Sequence, residues 1–281
     1  MKSIVIKNAI LIFATTSLLF VGCETNEDEE AADAVNFSTE NSIRAVKADN
    51  VAEGTFNILE SGFVENEGLT APSSRNLISL FPSCTTITIS SNGNGGTIIL
   101  DFGNSCTLNN GAVVSGIINI VYGPIISGTR TINYTFEDYV YNGNSVAGGG
   151  EILREISNSN GNPQSTVNEM ITISFPNSSI SATRDGLRIV EWVQGSSSGT
   201  WTDNVYEVSG NWDTTFNSGF TRSGTVTQVL VRRLSCLYVE SGKLVIERQG
   251  LTAEIDWGDG TCDNMATLTY NGIEYPIILG D

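Results

Sequence analysis

The chain has 281 residues, with 31 acidic and 14 basic side chains, no histidine and a formal net charge of −17. Such a negative balance argues against nucleic-acid binding, which needs basic patches, so we expect no nucleic-acid partner. The absence of histidine excludes serine–histidine–aspartate and cysteine–histidine mechanisms and histidine-ligated zinc. The length suits one large domain or two small ones.

The first 22 residues have the pattern of a secretory signal peptide. Lys2 and Lys7 precede an apolar run from Ala9 to Val21, which is interrupted only by Thr-Thr-Ser. This run is short for a membrane span, and acidic residues follow it instead of a positive flank. The pattern therefore predicts export. Removing residues 1–22 takes away both lysines and leaves a net charge of −19.

The apolar run ends in Leu-Phe-Val-Gly before Cys23, which resembles a bacterial lipobox. In that family the signal is cleaved before the cysteine, and the cysteine carries lipid. The resemblance implies that Cys23 is lipidated and anchors the chain in outer-membrane lipid. Phe20 stands where lipoboxes usually have leucine. An ordinary signal peptide that happens to contain a cysteine is the alternative.

Residues 23–47 are expected to form a flexible acidic spacer. Five of the seven residues from Glu24 to Glu30 are acidic, and dense like charge with little apolar surface cannot form a core. The run also resembles the acidic export signal of surface lipoproteins from Bacteroidetes-type bacteria. That resemblance implies the outer face of the outer membrane, with a periplasm-facing location as the alternative.

Four cysteines remain after Cys23, and an exported protein should pair them. Of the three pairings, a sequence echo favours Cys84 with Cys106 and Cys236 with Cys262. Each pair ends in an aspartate, an aromatic residue, a glycine and a few turn residues before its second cysteine, as in Asp101-Phe102-Gly103 and Asp256-Trp257-Gly258. Each bridge should contribute about 3 kcal/mol. Reactive or metal-binding thiols are the alternative.

Residues 48–66 are the best helical candidate. Apolar residues step by four, three and four, which places them on one helical face that we expect to pack on a sheet. Gly54 and Gly62 weaken the helical pattern. The apolar face is Ala52, Phe56, Leu59 and Phe63, and the opposite, polar face carries Glu53, Glu60 and Glu65.

Residues 76–281 predict a single all-β domain. Apolar residues alternate with threonine, serine and asparagine, and glycine- and asparagine-rich turns follow every 10–15 residues. We expect long antiparallel strands in a large curved sheet, a sandwich or an open barrel, with an internal pseudo-duplication into two disulfide-stapled halves. Among the predicted inward faces are Ile98 with Leu100, Ile118 with Ile120, Ile132 with Tyr134, Ile171 with Ile173, and Leu187 with Ile189 and Val193.

Three aspartates around the second motif are candidates for a metal site. Asp256, Asp259 and Asp263 are spaced three and four apart around a glycine turn, and calcium favours several oxygen ligands in flexible geometry. The first motif lacks this cluster. The Gly-Asp-Gly turn also resembles the structural turn of PKD-type β-sandwich repeats, and the alternative is that Asp259 caps its own turn. No other cofactor is expected.

Few other residues point to chemistry. Trp192, Trp201 and Trp212 lie in the glycine- and serine-rich middle of the chain. Most tryptophans at strand positions belong to the core, although exposed ones could stack on sugar rings or protein partners. Paired carboxylates could support glycoside hydrolysis, but the sequence does not identify two of them. We therefore do not expect an enzyme.

Taken together, the lipobox, the acidic spacer, the helix and both cysteine units resemble cell-envelope lipoproteins of Bacteroidetes-type (flavobacterial) genomes with paired-cysteine β repeats. The resemblance covers most of the mature chain and brings no known activity. It implies a location and a fold class only. From all these features together we expect a non-catalytic, lipid-anchored cell-surface protein that binds a glycan or a protein partner. The alternatives are a periplasm-facing structural or assembly lipoprotein and a carboxylate-dependent glycoside hydrolase.

Overall fold

The computed structural model describes residues 38–67 and 78–280. The predicted signal peptide, Cys23 and the first part of the spacer lie outside these residues. Within them are one helix, α1 (Thr39–Asn66), and fourteen strands. The strands are β1 (Thr86–Ser91), β2 (Gly96–Asp101), β3 (Cys106–Thr107), β4 (Val113–Tyr122), β5 (Thr129–Tyr141), β6 (Asn144–Glu155), β7 (Gln164–Ser174), β8 (Ser181–Gln194), β9 (Val205–Phe216), β10 (Thr221–Arg233), β11 (Ser241–Arg248), β12 (Leu251–Asp259), β13 (Met265–Tyr270) and β14 (Ile273–Ile278).

The strands form one antiparallel meander. From β4 onward each strand pairs with the next along the chain, while β1 pairs with β2, β2 with β4, and the short β3 with β4. The strands are long, up to 14 residues in β8. Among the described residues, β1 and β14 are the two edges of this order, so the sheet is open. The prediction of an all-β fold with long antiparallel strands and one helix is confirmed.

Helix α1 is longer than predicted. It begins at Thr39 instead of residue 48, and therefore includes residues that we assigned to the spacer. Ser38 caps it, because the backbone N–H of Asn41 donates to its hydroxyl at 3.4 Å. Ala45 and Val46 are fully buried, so tertiary packing extends the helix beyond its apolar stripe. Among the described residues, no helix is both long and apolar enough to span a bilayer.

The helix is enclosed rather than packed on one side. Its predicted apolar face is buried as expected, with Phe56 only 3% exposed. The opposite face was expected to be polar and was not expected to lie in the interior, yet Glu53 and Glu60 are each 2% exposed. Contacts to β2, β4, β5, β7 and β8 show that the curved sheet surrounds α1. Wrapping of this kind makes every buried polar side chain of the helix costly unless it has a partner.

Two glycines allow this close enclosure. A Cβ atom on Gly54 would lie 2.3 Å from the Tyr141 hydroxyl, and one on Gly62 would lie 2.4 Å from a methyl carbon of Leu100. Both distances are far below van der Waals contact, so any side chain there would push the sheet away from the helix. The residues that weakened the helical pattern in the sequence are therefore those that let the helix fit.

The alternation of strand residues sets most of the inward faces as predicted, but β8 is inverted. Ile98, Ile118 and Ile132 are fully buried, in agreement with the pattern. On β8, however, Leu187 is 42% exposed, whereas Arg184 and Arg188 are fully buried. A strand has two faces, and the apolar one should face the core. Here the arginines face inward because carboxylates of α1 and β7 pair with them.

Each predicted disulfide closes a hairpin at its open end. Cys84 and Cys106 join the two ends of the β1–β2 hairpin, with Cα atoms 5.6 Å apart, and Cys236 and Cys262 flank the β11–β12 hairpin, with Cα atoms 5.8 Å apart. The pairing chosen from the sequence echo is confirmed. The same local geometry therefore occurs at two places in the sheet.

Candidate functional site

The Asp–aromatic–Gly motif lies at the end of the second strand of both hairpins, at the end of β2 in the first copy and within the last residues of β12 in the second. The aromatic residue is buried in each case, Phe102 at 1% and Trp257 at 2% exposure. The preceding aspartate accepts a hydrogen bond from the backbone N–H of the following glycine at 2.8 Å in both copies. Such Asx bonds stabilise tight turns, and these glycines have positive φ. The motif therefore positions a strand end and its disulfide.

The three candidate calcium ligands each serve their own turn. Their carboxylates accept from N–H groups two residues ahead, and the two bonds from Thr261 to Asp259 lower the pKa of that carboxyl. Lys243 also lies 3.2 Å from Asp256. The donors are the backbone N–H groups of Gly258, Thr261 and Met265, at 2.8, 3.1 and 2.9 Å.

The three aspartates line one small depression of about 90 Å³, but their carboxylate oxygens do not all lie within 4.8 Å of one another. Among the described residues, the acidic and sulfur ligands that lie together within 4.8 Å belong to Cys236, Glu240 and Cys262. Both of these cysteines are in a disulfide, so their sulfurs are not thiolate ligands. The geometry therefore gives the calcium hypothesis no support.

The interior contains an ionic network that the sequence did not reveal. Glu53 of α1 lies at its centre and contacts three arginines. Arg188 donates to it at 2.8 Å and Arg184 at 3.2 Å, and Arg232 of β10 also contacts it and donates to the Glu53 carbonyl at 2.9 Å. Glu169 of β7 binds Arg184 and Arg188 from the other side, at 2.5 Å each. These contacts fasten the helix to the middle of the sheet.

Two further carboxylates extend the network along α1. Asp49 contacts Arg222 and accepts from the indole N–H of Trp212 at 2.8 Å. Glu60 contacts Arg154, which also donates to the Ser165 hydroxyl at 3.0 Å. The residues in this network come from β6, β7, β8, β9 and β10 as well as the helix. The network thus holds α1 against five consecutive strands.

The charges of the network set the pKa of its central carboxylate. Burial by itself raises the pKa of Glu53, but the positive charges of Arg188, Arg232 and Arg184 outweigh burial and lower it to about 2. Burial likewise lowers the pKa of Arg188, and the carboxylates of Glu169 and Glu53 outweigh it and raise that pKa. Glu53 and Arg188 are therefore ionised at neutral pH. Their full burial leaves them no access to a substrate.

The three tryptophans that we singled out are buried, as core residues are. Trp192, Trp201 and Trp212 are 6%, 8% and 3% exposed. None of them is an exposed platform for stacking. Trp212 belongs to the ionic network, whereas Trp192 and Trp201 lie at the far end of the helix.

Trp192 and Trp201 form part of the wall of a cavity of about 300 Å³ at the C-terminal end of α1, which we call the indole cavity. This volume is at the lower end of the range for small-molecule sites. The rings of Trp192 and Tyr206 stack with centroids 5.6 Å apart. The remaining wall comes from the last turn of α1, from Ile78 and from the β8–β9 loop, and includes Ser61, Glu65, Glu67, Thr200 and Asn204.

Several polar groups at this cavity lack partners. The indole N–H groups of Trp192 and Trp201 and the hydroxyl of Ser61 are buried, and none has a hydrogen-bond partner among the residues that the structure describes. A buried donor without an acceptor costs about 1–3 kcal/mol. Described atoms away from the cavity, such as the Trp257 indole N–H, are also buried without a partner, so these groups do not by themselves mark a ligand site.

Two glutamates of the cavity wall have raised pKa values. Burial raises the pKa of Glu65, against the lowering effect of hydrogen bonds from the Ser79 hydroxyl and the Leu80 N–H. Burial also raises the pKa of Glu67, against the opposing charge of Arg130, which lies 2.7 Å away. Both carboxylates are therefore engaged with protein groups while they line the cavity.

A second depression, of about 250 Å³, lies at the N-terminal end of α1. Arg44, Asn50, Tyr141 and Tyr238 are among its lining residues. Arg44 is paired with the exposed Glu40 of the same helix at 2.7 Å. Three aromatic residues line each of the two cavities, but this depression is the more polar and the smaller one, so the indole cavity is the better candidate for a ligand site.

Neither a protein-family model, nor a curated protein, nor a solved structure matches this chain.

Most of this site was not predicted from the sequence. The sequence patterns singled out Trp192 and Trp201, but they did not indicate that these residues share a cavity wall with Ser61 and Glu65 of the helix. The arginines and carboxylates of the interior were also missed. The one available signal was the spacing of the arginines, because Arg184 and Arg188 lie four residues apart on β8 and therefore on one face of that strand.

Proposed function

We propose that the chain is a non-catalytic glycan-binding lipoprotein, anchored through Cys23 in the outer membrane and facing the cell exterior. The indole cavity is the observation that carries the binding function, because it is concave and has an aromatic wall and several neutral polar groups. A protein partner would need a larger surface, since stable protein interfaces bury about 800 Å² on each side. A cavity of about 300 Å³ suits a sugar unit better.

The cavity lies at the end of α1 that is farther from Cys23 along the chain. The chain arrives from Cys23 at Ser38, where α1 begins, and the cavity lies at the opposite end of a helix of 28 residues. A helix of that length spans roughly 40 Å.

A carboxylate-dependent glycoside hydrolase is the second candidate, and one observation favours it. Glu65 and Glu67 both line the indole cavity and both have raised pKa values, which a general acid needs. The bonds from Ser79 and Leu80 to Glu65 favour a structural role for that residue instead. Release of reducing sugar from a bound glycan, abolished by Glu67→Gln, would support the hydrolase and contradict a purely binding function.

A glycan array tests the binding function. The full chain in detergent, fluorescently labelled, is expected to bind a defined subset of immobilised glycans and to leave them unaltered. A chain that binds no glycan, but copurifies with a stable envelope complex, would support the periplasm-facing structural role and overturn the proposal.

Surface display has a separate test. Protease added to intact cells is expected to degrade the protein, while a periplasmic marker stays intact. Complete protection of the protein in intact cells, with degradation after lysis, would place it on the periplasmic side.

A further inference from the structure

Strand β1 is an edge of the sheet with free backbone groups. It pairs with β2 on one side and stands at one end of the strand order. In the turn that follows β1, the N–H of Asn92 donates to the Gly95 carbonyl, so Asn92 faces β2. The direction alternates along a strand, and the N–H and carbonyl groups of Ile87 and Ile89 therefore point away from β2. Among the described residues, no other backbone group bonds them.

The opposite edge, β14, is protected against pairing. Just after this strand the N–H of Leu279 donates to the Asn264 carbonyl beside β13 at 2.8 Å, so by alternation the nitrogen of Pro276 points outward. Proline has no N–H to offer there, and the exposed Glu274 adds a charge to the same edge. Natural sheets use both features to prevent edge pairing. The sequence of β1, Thr-Ile-Thr-Ile-Ser-Ser, has neither proline nor charge.

Two copies of β1 are complementary to each other in an antiparallel pair. In the register that places Thr88 opposite Thr88 of the second copy, Ile87 lies opposite Ile89 and Thr86 lies opposite Ser90. The two isoleucines are the residues whose backbone groups point outward, so each Ile87–Ile89 pair exchanges both of its backbone hydrogen bonds. Thr88 then lies on a two-fold axis, as the contact of a symmetric dimer requires.

The side chains of β1 gain from this pairing. Ile87 and Ile89 lie on the core face and are half-buried, and isoleucines from a second copy cover apolar surface that they still expose. On the outer face the exposed Thr88 meets its own counterpart, and threonine pairs form hydrogen bonds across strands. No like charges meet at the axis, although the whole chain carries a net charge of −17.

The contact is small. Strand β1 has six residues, whereas a stable interface has about 20–30 residues on each side. An association through β1 is therefore reversible and depends on concentration. We propose that β1 is the contact strand of a weak two-fold dimer, in which it pairs antiparallel with β1 of a second copy and Thr88 lies on the axis.

Sedimentation equilibrium tests the dimer. The full chain carries Cys23→Ser, because lipid anchors would bring copies together in a micelle. Its mass is expected to rise from monomer towards dimer between about 10 µM and about 1 mM. Thr88→Lys places like charges opposite each other at the axis and is expected to weaken association at least about tenfold. The matched control is Thr131→Lys, which changes an exposed threonine of β5 inside the sheet and should leave association unchanged.

A charge exchange separates lost pairing from lost folding. Thr88→Glu is expected to associate as weakly as Thr88→Lys, while a mixture of the two variants is expected to form mixed dimers at least as strongly as the unsubstituted β1 strand does, because opposite charges then meet across the axis. Circular dichroism establishes that each variant is folded. A variant that does not fold cannot form the mixed dimer.

A cysteine at the axis tests the register. Thr88 is in a pair without backbone hydrogen bonds, where Cα atoms lie about 4.5 Å apart, within the range of a disulfide. Thr88→Cys in the Cys23→Ser chain is therefore expected to form an interchain disulfide under mild oxidation. Thr131→Cys, in the same chain, is expected to do so at least about tenfold more slowly.

Three results would overturn the inference. The first is a chain that remains monomeric at about 1 mM. The second is an equal effect of Thr88→Lys and Thr131→Lys, which would place the contact elsewhere on the molecule. The third is slow hydrogen exchange of the Ile87 and Ile89 amides at concentrations where the chain is a monomer, because the edge would then already be covered within one copy.

Discussion

The centre of α1 and its C-terminal end use polar side chains in opposite ways. At the centre, Asp49 and Glu53 are buried and face guanidinium groups from β8 and β10. At the end, Ser61 and the indole N–H groups of Trp192 and Trp201 are neutral and have no partner within the described part of the chain. In the first region the charged side chains pair with one another in the interior, whereas the residues of the second region line a cavity.

This difference separates structure from binding. A buried ion pair offsets the cost of desolvation only when the geometry supplies further hydrogen bonds, so it contributes specificity more than net stability. Here the ions fix which strands meet the helix and in which register. Among the described residues the network has five arginines and four carboxylates, and some nitrogens, such as Arg222 Nη1, lack an acceptor. Loss of one carboxylate should therefore be severe.

The largest expected change in the free energy of unfolding comes from removing the central carboxylate of the ionic network. Glu53→Gln removes the charge that Arg184, Arg188 and Arg232 share, and leaves three buried guanidinium groups with too few anions. We expect a loss of about 3–5 kcal/mol in the free energy of unfolding. Urea denaturation followed by tryptophan fluorescence measures it.

The matched control for this variant lies on the same helix. Glu40→Gln removes a carboxylate whose side chain is 75% exposed and which pairs only with Arg44 among the contacts described for it. An exposed pair of this kind contributes less than about 1 kcal/mol. Equal losses in the two variants would show that the enclosed network is not special.

The ionic network at the centre of α1 also shows which features can be predicted from the sequence and which cannot. The disulfides and the strand alternation depend on neighbours along the chain, as in Cys84–Cys106 around one hairpin, so local patterns revealed them. The inward arginines of β8 depend on Glu53, which is 131 residues from Arg184 in the chain. On β8 both faces carry apolar residues, and the face with Val190 and Trp192 also carries the two arginines, which the distant carboxylates allow to be buried.

The helix boundaries were predicted wrongly, and the cavity was not predicted at all, for the same reason. Residues 39–47 are helical because the sheet covers them, and their own sequence lacks a clear stripe. The cavity joins Ser61 of the helix to Trp192 and Trp201, which come more than 100 residues later. Non-local contacts of this kind have no signature in the spacing of residues.

Lowering the pH should reduce the contribution of Glu53 to the free energy of unfolding within a definite range of pH. The pKa of Glu53 falls from 4.5 to about 2 on folding, so its contribution is complete above pH 4.5 and is lost as the pH falls towards 2. The shift corresponds to about 3 kcal/mol. Raised pKa values at Glu65 and Glu67 act in the opposite direction, because protonation of those carboxyls favours the folded state.

A difference measurement isolates Glu53 from these other groups. Unfolding free energies of the wild type and Glu53→Gln, measured in urea between pH 5 and pH 2, should converge as the pH falls, because the wild type then loses the charge that the variant lacks. A constant difference over this interval would mean that Glu53 does not carry the shifted pKa.

The smallest change in the free energy of unfolding should come from a substitution at the cavity end of α1, and it should be a gain instead of a loss. Ser61→Ala removes a buried hydroxyl that has no described partner and introduces the best helix former. We expect a gain of about 0.5–1 kcal/mol in the free energy of unfolding.

The control is Asn66→Ala on the last turn of α1, where the side-chain amide donates to the Gly62 carbonyl at 2.8 Å and removal should cost about 1 kcal/mol. If Ser61→Ala instead destabilises the protein as much as Asn66→Ala does, the Ser61 hydroxyl has a structural partner and is not available to a ligand. A gain in stability together with weaker sugar binding would show that this end of the helix gives up stability in order to bind.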